Sequence, residues 1–316
     1  MPKPSHRPIL AAHLLLIAIT LVWGTTFALI KSALVDVSPL LFNLLRMALA
    51  FLILAAINLR TLRTLTRRDL YFGAIAGLFL GLGYQFQTSG LARTTASKSA
   101  FITGLIVVIV PLLSVLPGIR RPGTPRPGLS VFTGAILAFL GLILLTTPPH
   151  SGAAIFSGFG IGETLTLACA IAFAVHLLTL NRAAPYTGAR LLGTLQIGFC
   201  TLVLLITLPL GGHPHFHLTT RVILALAVTA ILGTAVAFTI QSWAQQYLPA
   251  TNTALIFTLE PIFAWLTSLF FLNEHLGKRA LCGASLILLG ILAAELGPTL
   301  LQKPRILLEA SQASEG

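Results

Sequence analysis

The sequence predicts an all-α membrane protein: ten transmembrane helices arranged as two inverted five-helix repeats around a central cavity. Three observations carry this. Of 316 residues, 56% are hydrophobic and 9% charged, with a mean hydropathy of +0.92, too few charges to give a globule of that size a solvated surface. A bilayer core about 30 Å thick calls for roughly 20 apolar residues per helix, and ten such runs divide the chain. Finally, the stretch from Gln87 to Pro111 is repeated half a chain later, from Gln241 to Pro261. In both copies an apolar helix ends near a glutamine, a short polar turn follows, and a second helix opens on small residues and carries a proline.

The basic start MPKPSHRP leads into the first run, 9–30, which is too long for a signal-peptide core and has no cleavage site after it, so it reads as a retained helix. Turn chemistry at Asp36-Val-Ser-Pro39 opens the second, 38–58, and the Arg60 to Arg68 stretch precedes the third, 70–91. The repeated hairpin supplies the fourth, 97–117. A proline- and arginine-rich loop then separates it from the fifth, 129–147. Pro148-Pro149 divides the halves, and 159–181, 190–210, 220–244, 250–272 and 280–297 follow, split at Pro185 and at Gly211-Gly-His-Pro214. The first repeat is thus 9–147, the second 159–297, and 298–316 a polar cytoplasmic tail.

The formal net charge of +12 does not point to nucleic acid, because the basic residues sit between apolar runs rather than along one soluble face. Sorted by side, the clusters near Lys3, Arg60, Arg120 and Lys303 fall together, while Lys31, Arg93, Lys98, Arg221, Lys278 and Arg279 fall opposite. The positive-inside rule then predicts both termini in the cytoplasm. Five helices per unit is odd, so the copies enter the membrane from opposite sides. Many secondary transporters are built this way, with a path on the pseudo-two-fold axis. Glycine intervals support the duplication: Gly134 and Gly141 in the fifth span, Gly283 and Gly290 in the tenth. Gly73, Gly77 and Gly81 form a small-xxx-small series suited to packing inside the monomer or to a homodimer.

Ionisable groups inside a bilayer are expensive and therefore functional candidates. Glu260, beside the helix-breaking Pro261, is a candidate proton-titrating or substrate-binding carboxylate, or a structural one. Arg46 either faces a cavity, where it would attract an anion, or snorkels to the surface. His176 is a second proton-coupling candidate, or a neutral hydrogen-bonded group. Trp23 and Thr26 interrupt the first span with an aromatic wall and a hydroxyl. Tyr84, Gln87, Gln241 and Trp243 lie near the ends of the third and eighth spans, and Ser99, Thr103 and Thr258 come from the repeated hairpin helices. Converging aromatics, amides and hydroxyls suit a small amphipathic solute. Glu163 complements a helix N-terminus. Cys169, Cys200 and Cys282 match neither a disulfide framework nor a zinc site and read as buried apolar groups. The His213, His215, His217 cluster lacks carboxylate or cysteine partners for a metal. No nucleotide-binding or hydrolase motif is present, so neither cofactor nor catalytic residue is expected.

W-G-T-T-F from Trp23, S-P-L-L-F-N-L-L-R from Ser38, T-T-A-S-K-S-A-F-I-T-G-L from Thr94 and Y-L-P-A-T-N-T-A-L-I-F-T-L-E-P from Tyr247 resemble the EamA family of the drug/metabolite transporter superfamily, over nearly the whole chain. The resemblance implies a ten-helix carrier of the bacterial inner membrane that exports amino acids, related metabolites or toxic compounds through a central cavity lined by helices one, three, four, six, eight and nine. The Asn273-Glu274 motif of the second half has no first-half counterpart, its place being taken by Pro-Gly-Ile-Arg-Arg-Pro-Gly. Alternatives from other classes are a membrane scaffold or sensor, and an intramembrane enzyme, for which the ionisable groups are too scattered. Within transport, a nucleotide-sugar-like carrier would need a basic cluster where only Arg46 is a candidate.

Overall fold

Helices make up nearly all of the described chain, which comprises residues 6–114, 116, 128–147, 159–211, 213–248 and 250–293 of a computed structural model. The cause is the solvent: in lipid, backbone donors and acceptors must be satisfied within the segment itself, which a helix does. In order they are α1 (His6–Ala33), α2 (Pro39–Ile57), α3 (Arg67–Leu91), α4 in two pieces (α4a, Ala96–Thr103; α4b, Ile106–Leu113), α5 (Leu129–Thr146), α6 (Ile161–Ala183), α7 (Ala189–Thr207), α8 (Thr220–Ala244), α9 in two pieces (α9a, Ala250–Phe257; α9b, Leu259–Leu272) and α10 (278–293). The expected 298–316 tail, the Pro148-Pro149 break and the Pro-Gly-Ile-Arg-Arg-Pro-Gly loop lie outside the described residues.

Seven of these helices are by themselves long and apolar enough to cross a membrane. The glycine-rich α3 is not among them and has less need to be, since it packs most extensively against α6 and α7 and is walled by protein rather than lipid. Around the bundle, large apolar side chains face outward: Leu10 is 61% exposed, Ile57 75%, Phe270 77% and Phe271 79%. In water such a surface would aggregate; against acyl chains it is solvated.

Glycine contacts fix the relation between the repeats. A Cβ on Gly141 would lie 2.6 Å from the Gly283 carbonyl oxygen, and one on Gly290 would lie 2.5 Å from that of Gly134. Helices α5 and α10 therefore run antiparallel, each glycine of one meeting the opposite glycine of the other. Equivalent helices lying antiparallel is what an inverted repeat requires. The series Gly73, Gly77, Gly81 packs inside the chain, where added Cβ atoms would come within 2.9 Å of Leu195, Phe199 and Val203 on α7.

Both hairpin helices are broken midway. In α9 the break at Thr258 precedes Pro261, whose missing N–H leaves a turn unclosed. In α4 the break falls at Gly104-Leu105, and Pro111 sits inside α4b. The two breaks meet: a Cβ on Gly104 would lie 2.8 Å from Pro261 Cγ.

At one end of the bundle, charged residues from three elements hold the α3–α4 turn. Lys31 Nζ of α1 donates to the carbonyls of Leu91 (2.6 Å) and Thr94 (2.7 Å). Glu163 of α6 accepts from Thr94 Oγ1 (2.6 Å) and from Gly160 N (3.1 Å), so it is a structural cap. Glu274 accepts from Ala96 N (3.0 Å), Ser97 N (3.0 Å) and Ser97 Oγ (2.9 Å) at the start of α4a, where backbone donors are orphaned and the helix dipole favours an anion. Asn273 makes this possible: its φ of 51° ends α9b with a left-handed residue, a conformation that Asn tolerates.

At the opposite end Thr66 and Asp69 form a capping box on α3, and Asp69 Oδ1 accepts from Thr187 Oγ1 at 2.8 Å. Burial would raise the Asp69 pKa, but the hydrogen bonds from Thr66 and Thr187 and the nearby Arg68 outweigh it and hold the group below its ordinary value of 3.8.

Candidate functional site

Where the two hairpins meet, a cavity of about 60 Å3, measured as the space open to the centre of a water-sized sphere, lies inside the bundle. At roughly 10–15 Å3 per water that is room for several waters or part of a small solute. Its wall is made of pairs. Residues 150 apart line it together (Trp23 and Phe173, Thr26 and His176, Phe27 and Leu177), as do residues 154 apart (Tyr84 and Phe238, Gln87 and Gln241, Thr103 and Phe257, Ile106 and Glu260). The pseudo-two-fold axis thus runs through the cavity; the repeat mates of Glu260 and His176 on the wall are neutral, and Arg46 has no mate on it.

Arg46 faces this cavity and does not snorkel: it is 1% exposed. Its Nε donates to Thr234 Oγ1 (2.8 Å), its Nη2 to Gly233 O and Tyr84 Oη (both 3.2 Å), and its guanidinium lies 4.5 Å from the centre of the Tyr84 ring. None of these partners is a carboxylate, and among the described residues Nη1 donates to nothing. Glu260, also on the wall, receives no hydrogen bond from any described residue. A buried cation held only by neutral groups is costly in a low dielectric, and Glu260, which is half-buried, keeps its carboxylate open to a further partner.

His176 Nε2 lies 2.7 Å from Gln196 Oε1, and Gln196 Nε2 donates to Ser242 Oγ at 3.1 Å. With the amide so oriented, Nε2 carries the imidazole proton and Nδ1 is left as an acceptor. Gln241 Oε1 is buried without a hydrogen-bond partner, while the Thr103 hydroxyl lies beside the Cys169 thiol. Between these polar groups stands an aromatic box: the Trp23 ring centre is 5.1 Å from Phe257 and 5.5 Å from Phe238, and Tyr84 is 5.2 Å from Phe173. The close crossing of α1 over α9b at Gly24, where a Cβ would lie 2.5 Å from Phe263 Cβ, brings Trp23 and Glu260 to the same depth.

Of the residues singled out in the sequence, Trp23, Thr26, Arg46, Tyr84, Gln87, Thr103, His176, Gln241 and Glu260 lie on the cavity wall. Ser99, Trp243 and Thr258 do not. Ser99 is buried one turn from Thr103 toward the Glu274 end, its hydroxyl unpartnered. Trp243, two residues past Gln241 and so about 200° around the helix, packs on Tyr247 with ring centres 5.0 Å apart. Thr258 is taken up by the break in α9. Among the cysteines Cys282 is exposed rather than buried. Among the described residues no group of three His, Cys, Asp or Glu side chains could hold a metal ion, and His213, His215 and His217 are exposed. Sequence reasoning passed over Phe173 and Phe238, although they are the repeat mates of Trp23 and Tyr84, and over Gly233, Thr234 and Gln196, which bear no motif.

An uncharacterized transporter of Archaeoglobus fulgidus is 34% identical over 287 residues, covering 91% of this chain and 86% of its own. A WAT1-related chloroplastic protein of Arabidopsis thaliana is 27% identical, covering 85% of this chain and 66% of its own. The uncharacterized transporter YoaV of Bacillus subtilis is 21% identical, covering 87% and 94%. A solved protein crystal structure shares the fold with a TM-score of 0.66 at 19% identity, over 92% of this chain and 98% of the other. The description "EamA-like transporter family" matches residues 10–147 and again 160–295, one domain for each half related by the glycine contacts. With its two EamA domains, a multi-pass helical architecture and a cavity on the axis between them, the chain belongs to the EamA-like transporter family, a family of membrane transporters and not of enzymes.

Proposed function

We propose that this protein is a secondary, ATP-independent carrier that exports a small zwitterionic metabolite, an amino acid or a relative of one, by alternating access. It would sit in the plasma membrane of a bacterial cell with both termini cytoplasmic, the orientation favoured by the distribution of Lys and Arg. The observation that carries the substrate reading is the pairing on one wall of Arg46, a cation without a carboxylate partner, with Glu260, a carboxylate without a donor. A carboxylate on the solute suits the first, an ammonium the second, and the aromatic box between them suits an apolar side chain. Rocking of one repeat against the other would expose the site to each side in turn. Energy would come from the solute gradient, or from protons through Glu260 or His176.

Proteoliposomes loaded with a panel of amino acids test the reading by counterflow. Exchange of at least one carboxylate-bearing amine, lost in Arg46→Gln, supports it; a panel in which none exchanges removes it. Flux that is equally independent of pH in wild type and Glu260→Gln removes the proton role. The aromatic box with Glu260 also favours a second reading, export of flat organic cations by cation–π contact. In that case Arg46→Gln leaves transport intact and Glu260→Gln abolishes it.

A further inference from the structure

The eighth helix is not a regular α-helix where it passes the cavity. From Ile231 to Val236 it widens into a π-helical turn, and Ala237 N reaches back five residues to Leu232 O rather than four to Gly233 O. The Gly233 carbonyl is thereby left to partners outside the helix, and it takes two: Trp23 Nε1 at 2.8 Å and Arg46 Nη2 at 3.2 Å. The next residue completes the fitting. Thr234 Oγ1 spends its proton on Thr229 O, also five residues back, at 2.7 Å. Its lone pairs therefore face Arg46 Nε, which donates to it at 2.8 Å. Thr234 is 0% exposed, so no water competes for that bond. π-turns inside helices concentrate at functional sites because they release backbone groups that a regular helix would consume.

We infer that the π-turn of α8, and Thr234 in particular, is a positioning element for Arg46 that fixes the guanidinium with its Nη1 face toward the cavity, ready for an oxyanion of the substrate. The inference rests on the reading of Arg46 as the anion-binding group. Two neutral acceptors and the Tyr84 ring hold the guanidinium plane without neutralising it, which a carboxylate in the place of Thr234 would do. Guanidinium recognition of an oxyanion depends on planar alignment more than on charge alone. Removal of Thr234 Oγ1 should therefore weaken binding of the anionic group while leaving the rest of the site in place. Thr234→Ala allows a second perturbation that removes the acceptor without adding bulk, and Gly233→Ala is a control beside the guanidinium: its Cβ would lie 3.4 Å from Arg46 Nη2, an ordinary van der Waals contact.

The test compares wild type, Thr234→Val, Thr234→Ala, Thr234→Ser and the control Gly233→Ala in proteoliposome exchange. The probes are an amino acid that the wild type carries, its amide, in which the carboxylate is neutral, and the matching aminosulfonate. Thr234→Val is expected to raise KM for the amino acid and the sulfonate roughly tenfold with maximal flux within about twofold, and to leave inhibition by the amide unchanged. Thr234→Ser, which keeps the acceptor, should restore KM. Thr234→Ala should follow Thr234→Val in direction, and it carries the decision if the valine variant does not fold; Gly233→Ala should keep KM near the wild-type value. Wild-type KM in both Thr234→Val and Thr234→Ala, or an equal loss for amide and amino acid, overturns the positioning role. If wild type exchanges no amino acid but binds other organic anions, such as a phosphate monoester, in a Thr234-dependent way, the substrate reading falls and the positioning role stands. If it binds no organic anion at all, both fall.

Discussion

Replacing Glu274 with Gln should unlatch one end of the bundle. In the structure its carboxylate accepts three hydrogen bonds at the start of α4a, from Ala96 N at 3.0 Å, Ser97 N at 3.0 Å and Ser97 Oγ at 2.9 Å. A hydrogen bond to a charged group contributes about 1.5–3 kcal/mol net and a neutral one about 0.5–1.5. Glutamine is neutral, keeps one acceptor oxygen and turns an NH2 group toward a helix end that presents only donors. Allowing for solvent screening of a side chain at the edge of the bundle, the conformer that makes this contact should lose about 2 kcal/mol, which is roughly a 30-fold change in its ratio to conformers that lack it. The assay is the rate at which a membrane-impermeant maleimide, added from the Glu274 side, labels a cysteine at Ile30. Ile30 lines the cavity and is 4% exposed, and the background carries alanine at Cys169, Cys200 and Cys282. Labelling through a rare open state should accelerate in proportion to that state's population. An unchanged rate in Glu274→Gln, and again in the double variant with Lys31→Gln, with unchanged melting temperatures, would refute the assignment of this contact as a latch.

The packing and capping contacts make three further predictions. Gly141→Ala forces a Cβ to within 2.6 Å of a backbone carbonyl on α10 that has no side-chain freedom to yield, so it should destabilise the detergent-solubilised protein by about 1–3 kcal/mol; Gly188→Ala, where nothing lies within 4 Å, should change its melting temperature little. Asn273→Gly should be near neutral, because glycine also accepts the left-handed φ of 51°, whereas Asn273→Val should cost about 1–2 kcal/mol and, by misaiming Glu274, should mimic Glu274→Gln in the labelling assay. Asp69→Asn should lower the melting temperature at pH 7. The folded-state pKa of Asp69 is depressed, so its contribution is fully present above the ordinary value of 3.8 and is lost as pH falls through the lower folded value; the gap between wild type and variant in a pH series of melting curves should therefore close below about pH 4.

The architecture was legible in the sequence because lipid imposes a long, simple signal: a run of apolar residues for each span and a duplicated hairpin for the inversion. The spans at 220–244 and 250–272 coincide with α8 and α9, and the glycine intervals noted in the fifth and tenth spans turn out to touch. Half-buried distinctions were harder. Trp243 looked as suitable as Gln241, yet helical rotation puts it on another face, and Ser99 shares the face of Thr103 but lies a turn beyond the cavity. The ambiguity over Arg46 was resolved by something no residue pattern announces. A π-turn depends on which carbonyl each N–H selects, and Ile-Leu-Gly-Thr-Ala-Val is an unremarkable helical string. Asn273-Glu274 did stand out as a motif, but its use as a bond between α9 and α4a required the three-dimensional crossing of the hairpins.

The pairing on the cavity wall separates what the repeats share from what each contributes. Tyr84 with Phe238, Gln87 with Gln241 and Trp23 with Phe173 keep similar chemistry on both sides. The charges break the symmetry. The repeat mate of Glu260 is Ile106, that of His176 is Thr26, and the residue 150 positions after Arg46 is Gln196, which is bonded to His176 rather than placed on the wall. A symmetric pair of carboxylates or of guanidiniums would repel across so small a space, whereas one of each, drawn from different repeats, leaves the two halves of the wall unlike in charge. Because Arg46 and Glu260 belong to different repeats, the rocking proposed above would move the cation and the carboxylate relative to each other, and that motion is where a change in affinity would have to arise.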